Sequence, residues 1–110
     1  MNGSSILHFD ISGPNEQSLH RFYRELLGWT VDPQGPGYAL VETPGGLRGS
    51  LIDAEASQVT LGVGVDDLDE ALTQAGELGG TVVMPVTDNG WVVKAQVRDP
   101  GGNVLTLIQK

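Results

Sequence analysis

The sequence contains no cysteine, which excludes disulfides, thiolate metal sites and a cysteine nucleophile. Basic residues are scarce: 6 Lys and Arg stand against 14 Asp and Glu, for a formal net charge of -8. A field of that sign repels phosphate backbones and anionic lipid, so neither nucleic acid nor a membrane surface is an expected partner. No apolar run approaches the length of a spanning helix, and the first residues lack the basic stretch and apolar segment of a secretory signal. The chain is therefore expected to be soluble and cytoplasmic. Its apolar content, 39%, is a little low, but 16 glycines account for much of the difference and fit a turn-rich mixed fold rather than disorder. At 110 residues there is material for one domain with a small core, spanning 1–110, and either half alone would be marginal.

What the chain does contain is a repeat. The stretches "TPGGLRGSLIDA" and "DPGGNVLTLIQK" share a turn and a strand rhythm: an offset of 56 lays Pro44 on Pro100, Gly45 on Gly101, Gly46 on Gly102, Ser50 on Thr106, Leu51 on Leu107 and Ile52 on Ile108. Nearer the front the offset is 52, which lays His8 on Thr60 and Gly28 on Gly80. The extra residues of the second half are expected in the loop around "VTDNG". Few residues are identical between the halves, so the repeat rests on element order, turn placement and spacing.

The first half opens on "ILHFDIS", in which Leu7, Phe9 and Ile11 alternate with His8, Asp10 and Ser12, the period of a strand with one packed face. Pro14 and Asn15 introduce "EQSLHRFYRELLG", where Leu19, Phe22, Tyr23, Leu26 and Leu27 recur at helical spacing and Gly28 supplies the stop. Three short strand-like runs follow, "WTVDP", "YALVET" and "LRGSLID", divided by "QGPG" and "PGG". The second half repeats the order. "VTLGVGV" precedes "DDLDEALTQAGELGG", in which Asp67 and Glu70 form an acidic variant of a capping box. There Leu68, Ala71, Leu72, Ala75 and Leu78 make the apolar stripe, and "TVVMPV", "WVVKAQVR" and "NVLTLIQ" complete the half. The predicted fold is α+β, two tandem βαβββ modules over 1–54 and 57–110.

Each helix should bury one sheet face and leave the other to curl around a hollow, giving an open, curved eight-stranded sheet or half-barrel about a central cavity. Alternation assigns the faces. With Leu7, Phe9, Ile11, Val59, Leu61 and Val63 packed on the helices, His8, Asp10 and Thr60 point into the concavity. The last strand of each half adds Arg48, Ser50 and Thr106, and the third strands add Tyr38, Leu40, Glu42, Lys94, Gln96 and Arg98. Such a lining suits an organic ligand with a few polar handles. Arg48, Lys94 and Arg98 would place a positive wall there, which makes an anionic ligand conceivable.

The stretch "HFDISGPNEQSLHRFYRELLGW", with a histidine fourteen residues before the helical "FY", together with "VGVDDLDEAL" and "VRDPGGNVLTLI", resembles the vicinal oxygen chelate superfamily. That superfamily includes glyoxalase I, extradiol dioxygenases and bleomycin-resistance proteins. The resemblance spans nearly the whole chain. It implies paired βαβββ modules forming an open barrel, often within a homodimer, and a divalent metal held on the first and last strands of the modules. Its metal positions fall here on His8, Ser50, Thr60 and Thr106. Imidazole and carboxylate replace the hydration shell of a divalent ion and neutral hydroxyls do so poorly, so only His8 qualifies and a bound metal is disfavoured.

The sequence thus points to a metal-independent small-molecule-binding protein of the glyoxalase/bleomycin-resistance kind, a homodimer whose ligand-binding residues are His8, Glu42, Arg48, Ser50, Thr60, Gln96, Arg98, Thr106 and Trp91. Trp91, just after "DNG", would stack on a planar ligand or pack in the core. The alternative is an enzyme: a metal-dependent lyase, isomerase or dioxygenase, or a metal-free acid–base catalyst using His8 with Asp10, which share a strand face. A partner-binding domain without a ligand accounts less well for the polar lining. His20, beside Arg21 and Arg24, is expected to be solvated. The glycines of "TPGG" and "DPGG" read as turns rather than a phosphate cradle, and the acidic run Asp66, Asp67, Asp69, Glu70 suits a helix N-terminus without calcium.

Overall fold

The computed structural model describes residues 3–110. Among the described residues eight strands and two helices follow in the order βαβββ twice, an α+β fold as expected. The described chain resolves into two compact units, one of His8–Thr60 and the other of Leu61–Lys110 with the segment ahead of His8.

In the first unit β1 (Ile6–Gly13), apart from its first residues, is followed by α1 (Glu16–Leu27), β2 (Thr30–Gly35), β3 (Tyr38–Glu42) and β4 (Arg48–Asp53). The strands lie in the order β2-β3-β4-β1. The pairs β2/β3 and β3/β4 are antiparallel, and β1/β4 is parallel with His8 opposite Arg48 and Asp10 opposite Ser50. Alternation settles which side each residue takes. Phe9, Ala39, Val41 and Leu51 form the buried core, with Ile11, Leu19, Tyr23, Trp29 and Val31 packed around it. Burying each large apolar side chain contributes roughly 1.5–3 kcal/mol. Gly28 ends α1 as expected: at φ 68 it adopts the left-handed conformation, and its N–H returns to Arg24 O at 3.1 Å.

The apolar stripe of α1 is wider than the face it buries. Leu19 and Tyr23 meet the sheet, whereas Phe22 and Leu26, 55% and 65% exposed, point away from it. His20 corrects the expectation of a solvated residue, being only 8% exposed. It sits three residues before Tyr23 and four after Glu16, on the flank of the helix turned toward the β2–β3 turn. There both carboxylate oxygens of Glu16 accept from Gly37 N at 3.0 Å, and His20 Nε2 lies 3.9 Å from Glu16 Oε1.

The second unit holds most of β5 (Gln58–Val65), then α2 (Leu68–Glu77), β6 (Thr81–Asp88), β7 (Val93–Arg98) and β8 (Val104–Gln109), ordered β5-β8-β7-β6. Leu68, Ala95, Val97 and Leu107 form its core, and Val63, Val65, Ala71, Leu72 and Ala75 pack on it. Asp67 caps α2, its Oδ1 accepting from Glu70 N at 3.1 Å. The residues in excess of the first half do fall near "VTDNG": β6 has 8 residues where β2 has 6, and its turn runs through Asn89 to Val92.

Several expected core positions are not core. Leu78 caps α2 and is 77% exposed. Leu7, Val59 and Leu61 are 43%, 66% and 37% exposed. Strand parity was right for β5, but reach was not: a ten-residue helix spans about 15 Å and an eight-residue strand about 26 Å, so α2 covers only the end holding Val63 and Val65. Leu7 belongs with the second unit, where its Cδ1 lies 2.7 Å from the place a side chain at Gly64 would start.

Candidate functional site

On the face of the first unit turned away from α1, β1 presents His8 and Asp10. Two residues along a strand place their Cα atoms about 7 Å apart on one side, near enough for the side chains to lean together. They do: His8 Nε2 lies 3.1 Å from Asp10 Oδ1. The same nitrogen lies 3.0 Å from Ser50 Oγ on β4, and Ser50 Oγ lies 3.2 Å from Tyr38 Oη on β3. Ser50 is 2% exposed, the His8 and Asp10 side chains 28% each. The structure thus joins three predicted polar positions to Tyr38, which the pleat had placed on this face without a role.

Chemistry assigns the protons. An ionised carboxylate only accepts, so the proton of neutral His8 sits on Nε2 and is shared between Asp10 Oδ1 and Ser50 Oγ. Ser50 then donates its own hydrogen to Tyr38 Oη. His8 Nδ1 is left with a lone pair and no partner among the described residues. Since no fully buried side-chain nitrogen or oxygen among them lacks a partner, Nδ1 is not fully buried.

The other predicted residues stand apart from this chain of bonds. Arg48 lies opposite His8 on one side and Glu42 on the other, yet neither Arg48 nor Glu42 enters an ion pair among the described residues. Thr60 is buried at 6% exposure and makes none of the cluster's hydrogen bonds. In the second unit Thr106, 5% exposed, has its Oγ1 bonded by Gln96 Nε2 at 3.2 Å. Arg98 is exposed at the end of β7. Trp91 is 91% exposed, which removes core packing as its role. A groove of about 370 Å³ in the first unit lies elsewhere, where β1 leads into α1, lined by residues including Ile11, Pro14, Leu19, Tyr23, Gln58 and Val59. None of the predicted ligand residues lines it.

These features place the chain in a known structural class. A glyoxalase/bleomycin resistance protein/dioxygenase superfamily member from Vibrio splendidus is similar over 98% of this chain and 100% of its own, with TM-score 0.75 and 14% identity. Methylmalonyl-CoA epimerase from Mycobacterium tuberculosis is similar over 99% and 92%, with TM-score 0.72 and 17% identity. The Mn(II)-bound glyoxalase from Novosphingobium aromaticivorans is similar over 97% of this chain but 40% of its own, with TM-score 0.70 and 14% identity. At these identities the likeness is one of fold. The chain belongs to the glyoxalase-like domain family, whose model matches residues 7–108. No curated protein matches it.

The metal that this superfamily implies does not fit the donors present. The four positions supply one imidazole and three hydroxyls. Two of those hydroxyls are already engaged, Ser50 with His8 and Tyr38, and Thr106 with Gln96. Among the described residues no group of three or more His, Asp or Glu side chains comes together. Asp10 adds a carboxylate beside His8, which brings the strong donors shown together to two.

Proposed function

We propose that this protein binds a small organic molecule without a metal, on the polar sheet face that carries His8, Asp10, Ser50 and Tyr38, and acts as a cytoplasmic homodimer. The observation that supports this reading is the state of Ser50: the residue at a metal position is a buried hydroxyl held between His8 and Tyr38. A face of this kind offers directed hydrogen bonds rather than a Lewis acid. The test is elemental analysis of protein purified without chelator, followed by thermal-shift screening against thioesters, catechols, glycopeptide antibiotics and planar aromatics. The expected result is no stoichiometric transition metal and a raised melting temperature with one class, lost in His8→Ala. One tight metal per chain would overturn the reading.

A second reading is favoured by Nδ1 of His8, which has no partner among the described residues. With Nε2 turned to Asp10 and Ser50, Nδ1 would serve as the acid–base group, and the protein would then be a metal-free enzyme. Binding retained with turnover abolished in His8→Ala supports it. Binding and turnover lost together do not.

A further inference from the structure

Of the 6 basic side chains, Arg21 and Lys110 make ion pairs among the described residues, with Glu25 and Asp66. Arg24, Arg48, Lys94 and Arg98 make none. Their surroundings differ. Arg48 shares its sheet face in the first unit with Glu42 and Asp10. Lys94 and Arg98 stand in the second unit, on the side of β7 away from Ala95 and Val97, which are buried against α2. Register shows what lies beside them. Thr87 and Ile108 flank Lys94, Met84 and Thr106 flank Gln96, and Thr81 and Val104 flank Arg98. One strand further, Gly62 and Gly64 stand opposite Thr106 and Ile108. None of these positions holds a carboxylate, in a chain with 14 of them. Asp88 and Asp99, next in sequence to Thr87 and Arg98, hold their own turns: Asp88 Oδ1 accepts from Gly90 N at 2.9 Å and Asp99 Oδ1 from Gly101 N at 2.8 Å.

Distance decides between this patch and the net charge of -8. Physiological salt screens exposed charges beyond about 8 Å, whereas Gln96 lies two residues from each cation, about 7 Å between Cα atoms. A small anion beside Gln96 therefore feels Lys94 and Arg98 more strongly than the carboxylates elsewhere. A long polyanion extends past the patch and meets those carboxylates. The same face also offers apolar ground, since Met84, Val104 and Ile108 are half-buried on it. Gln96 is held in place at its middle, its Nε2 bonded to Thr106 Oγ1 at 3.2 Å.

Going beyond the reading above, which concerns the first unit, we propose that this face of the second unit binds small organic anions: a carboxylate or phosphate attached to a short apolar group. Lys94 and Arg98 supply the attraction, which acts through the field of the patch and does not require both cations to touch one group. Met84, Val104 and Ile108 receive the apolar part.

The experiment is an amide NMR titration of the intact protein, at low salt and neutral pH, with benzoate, phenyl phosphate and benzyl alcohol. Expected are shifts centred on Lys94, Gln96 and Thr106 with the anions and none there with the alcohol at equal concentration. Whichever anion binds tighter names the charged group. Lys94→Gln and Arg98→Gln should each weaken that binding about tenfold, as loss of one charge-assisted contact does, and added salt should weaken it in the parent. Arg24→Gln removes the same charge from α1 and should leave it unchanged. Benzyl alcohol shifting β7 as the anions do, or Arg24→Gln costing as much as Lys94→Gln, overturns the proposal. The two readings fail separately. Shifts confined to the amides around His8 sink this proposal and leave the ligand-binding reading standing, whereas shifts confined to β7 and β8 support this proposal alone. No shift with either anion at β7 also overturns it.

Discussion

The ring of Phe9 on β1 fills the space over Gly49 on the adjoining β4: a Cβ at position 49 would stand 2.3 Å from Phe9 Cε2. The two are register partners, and Phe9 is 7% exposed in the core. Gly49→Ala must therefore push the ring aside, one residue from His8. Overpacking of this kind costs about 1–3 kcal/mol, and each kcal/mol lowers Tm by about 4–8 °C in a domain near this size. Thermal and urea unfolding measure it, and an unchanged Tm would show that the ring has room to yield.

The cap on α2 offers a second test. Asp67 Oδ1 accepts from Glu70 N at 3.1 Å, satisfying one of the helix's unpaired amide groups. Asp67→Ala is expected to cost about 1 kcal/mol, whereas Asp67→Asn, which keeps an acceptor, should lie closer to the parent. Equal losses in both would mean that charge at the helix end, rather than the hydrogen bond, is what counts.

Acid should act on the "DPGGN" turn. Asp99 Oδ1 accepts from Asn103 N at 2.9 Å and Gly101 N at 2.8 Å, and Oδ2 from Asn103 Nδ2 at 3.0 Å. These donors, the Asn103 backbone foremost, hold its carboxyl below the ordinary value of 3.8. A carboxyl with a depressed folded pKa contributes stability above its unfolded value, and that contribution is lost as pH falls through the folded one. Unfolding free energies of the parent and Asp99→Ala measured from pH 6 downward should therefore converge below about pH 4. Curves running parallel to pH 2 would contradict the role assigned to the turn.

Trp91 separates stability from binding. At 91% exposure it contributes nothing to a core, so Trp91→Ala should change stability by less than about 0.5 kcal/mol. Far-UV circular dichroism melts decide this. A drop of several degrees would show that the indole is buried in solution, for example against a second copy.

Much of the fold was legible because its signals are local. Alternation in "ILHFDIS" put Phe9 and His8 on opposite faces, Gly28 marked the end of α1, and the paired "PGG" turns marked the duplication. His20 reads as solvated from its neighbours because flanking arginines describe the chain, whereas in the fold it lies beside Glu16, whose carboxylate is held by Gly37 of the β2–β3 turn. Tyr38 was missed as a site residue for a related reason. Its Cα lies opposite Ile52, and only the length of the phenol carries Oη diagonally to Ser50.

By itself the sequence determined the element order, the face each strand residue takes and the poverty of metal donors, since periodicity, turn chemistry and residue type are properties of short stretches. Tertiary structure alone decided how far each helix covers its strands and which polar atoms meet. It also decided which nitrogen of His8 faces Asp10 and Ser50. These depend on what stands across a neighbouring strand, and strand pairing joins residues as far apart as His8 and Ser50.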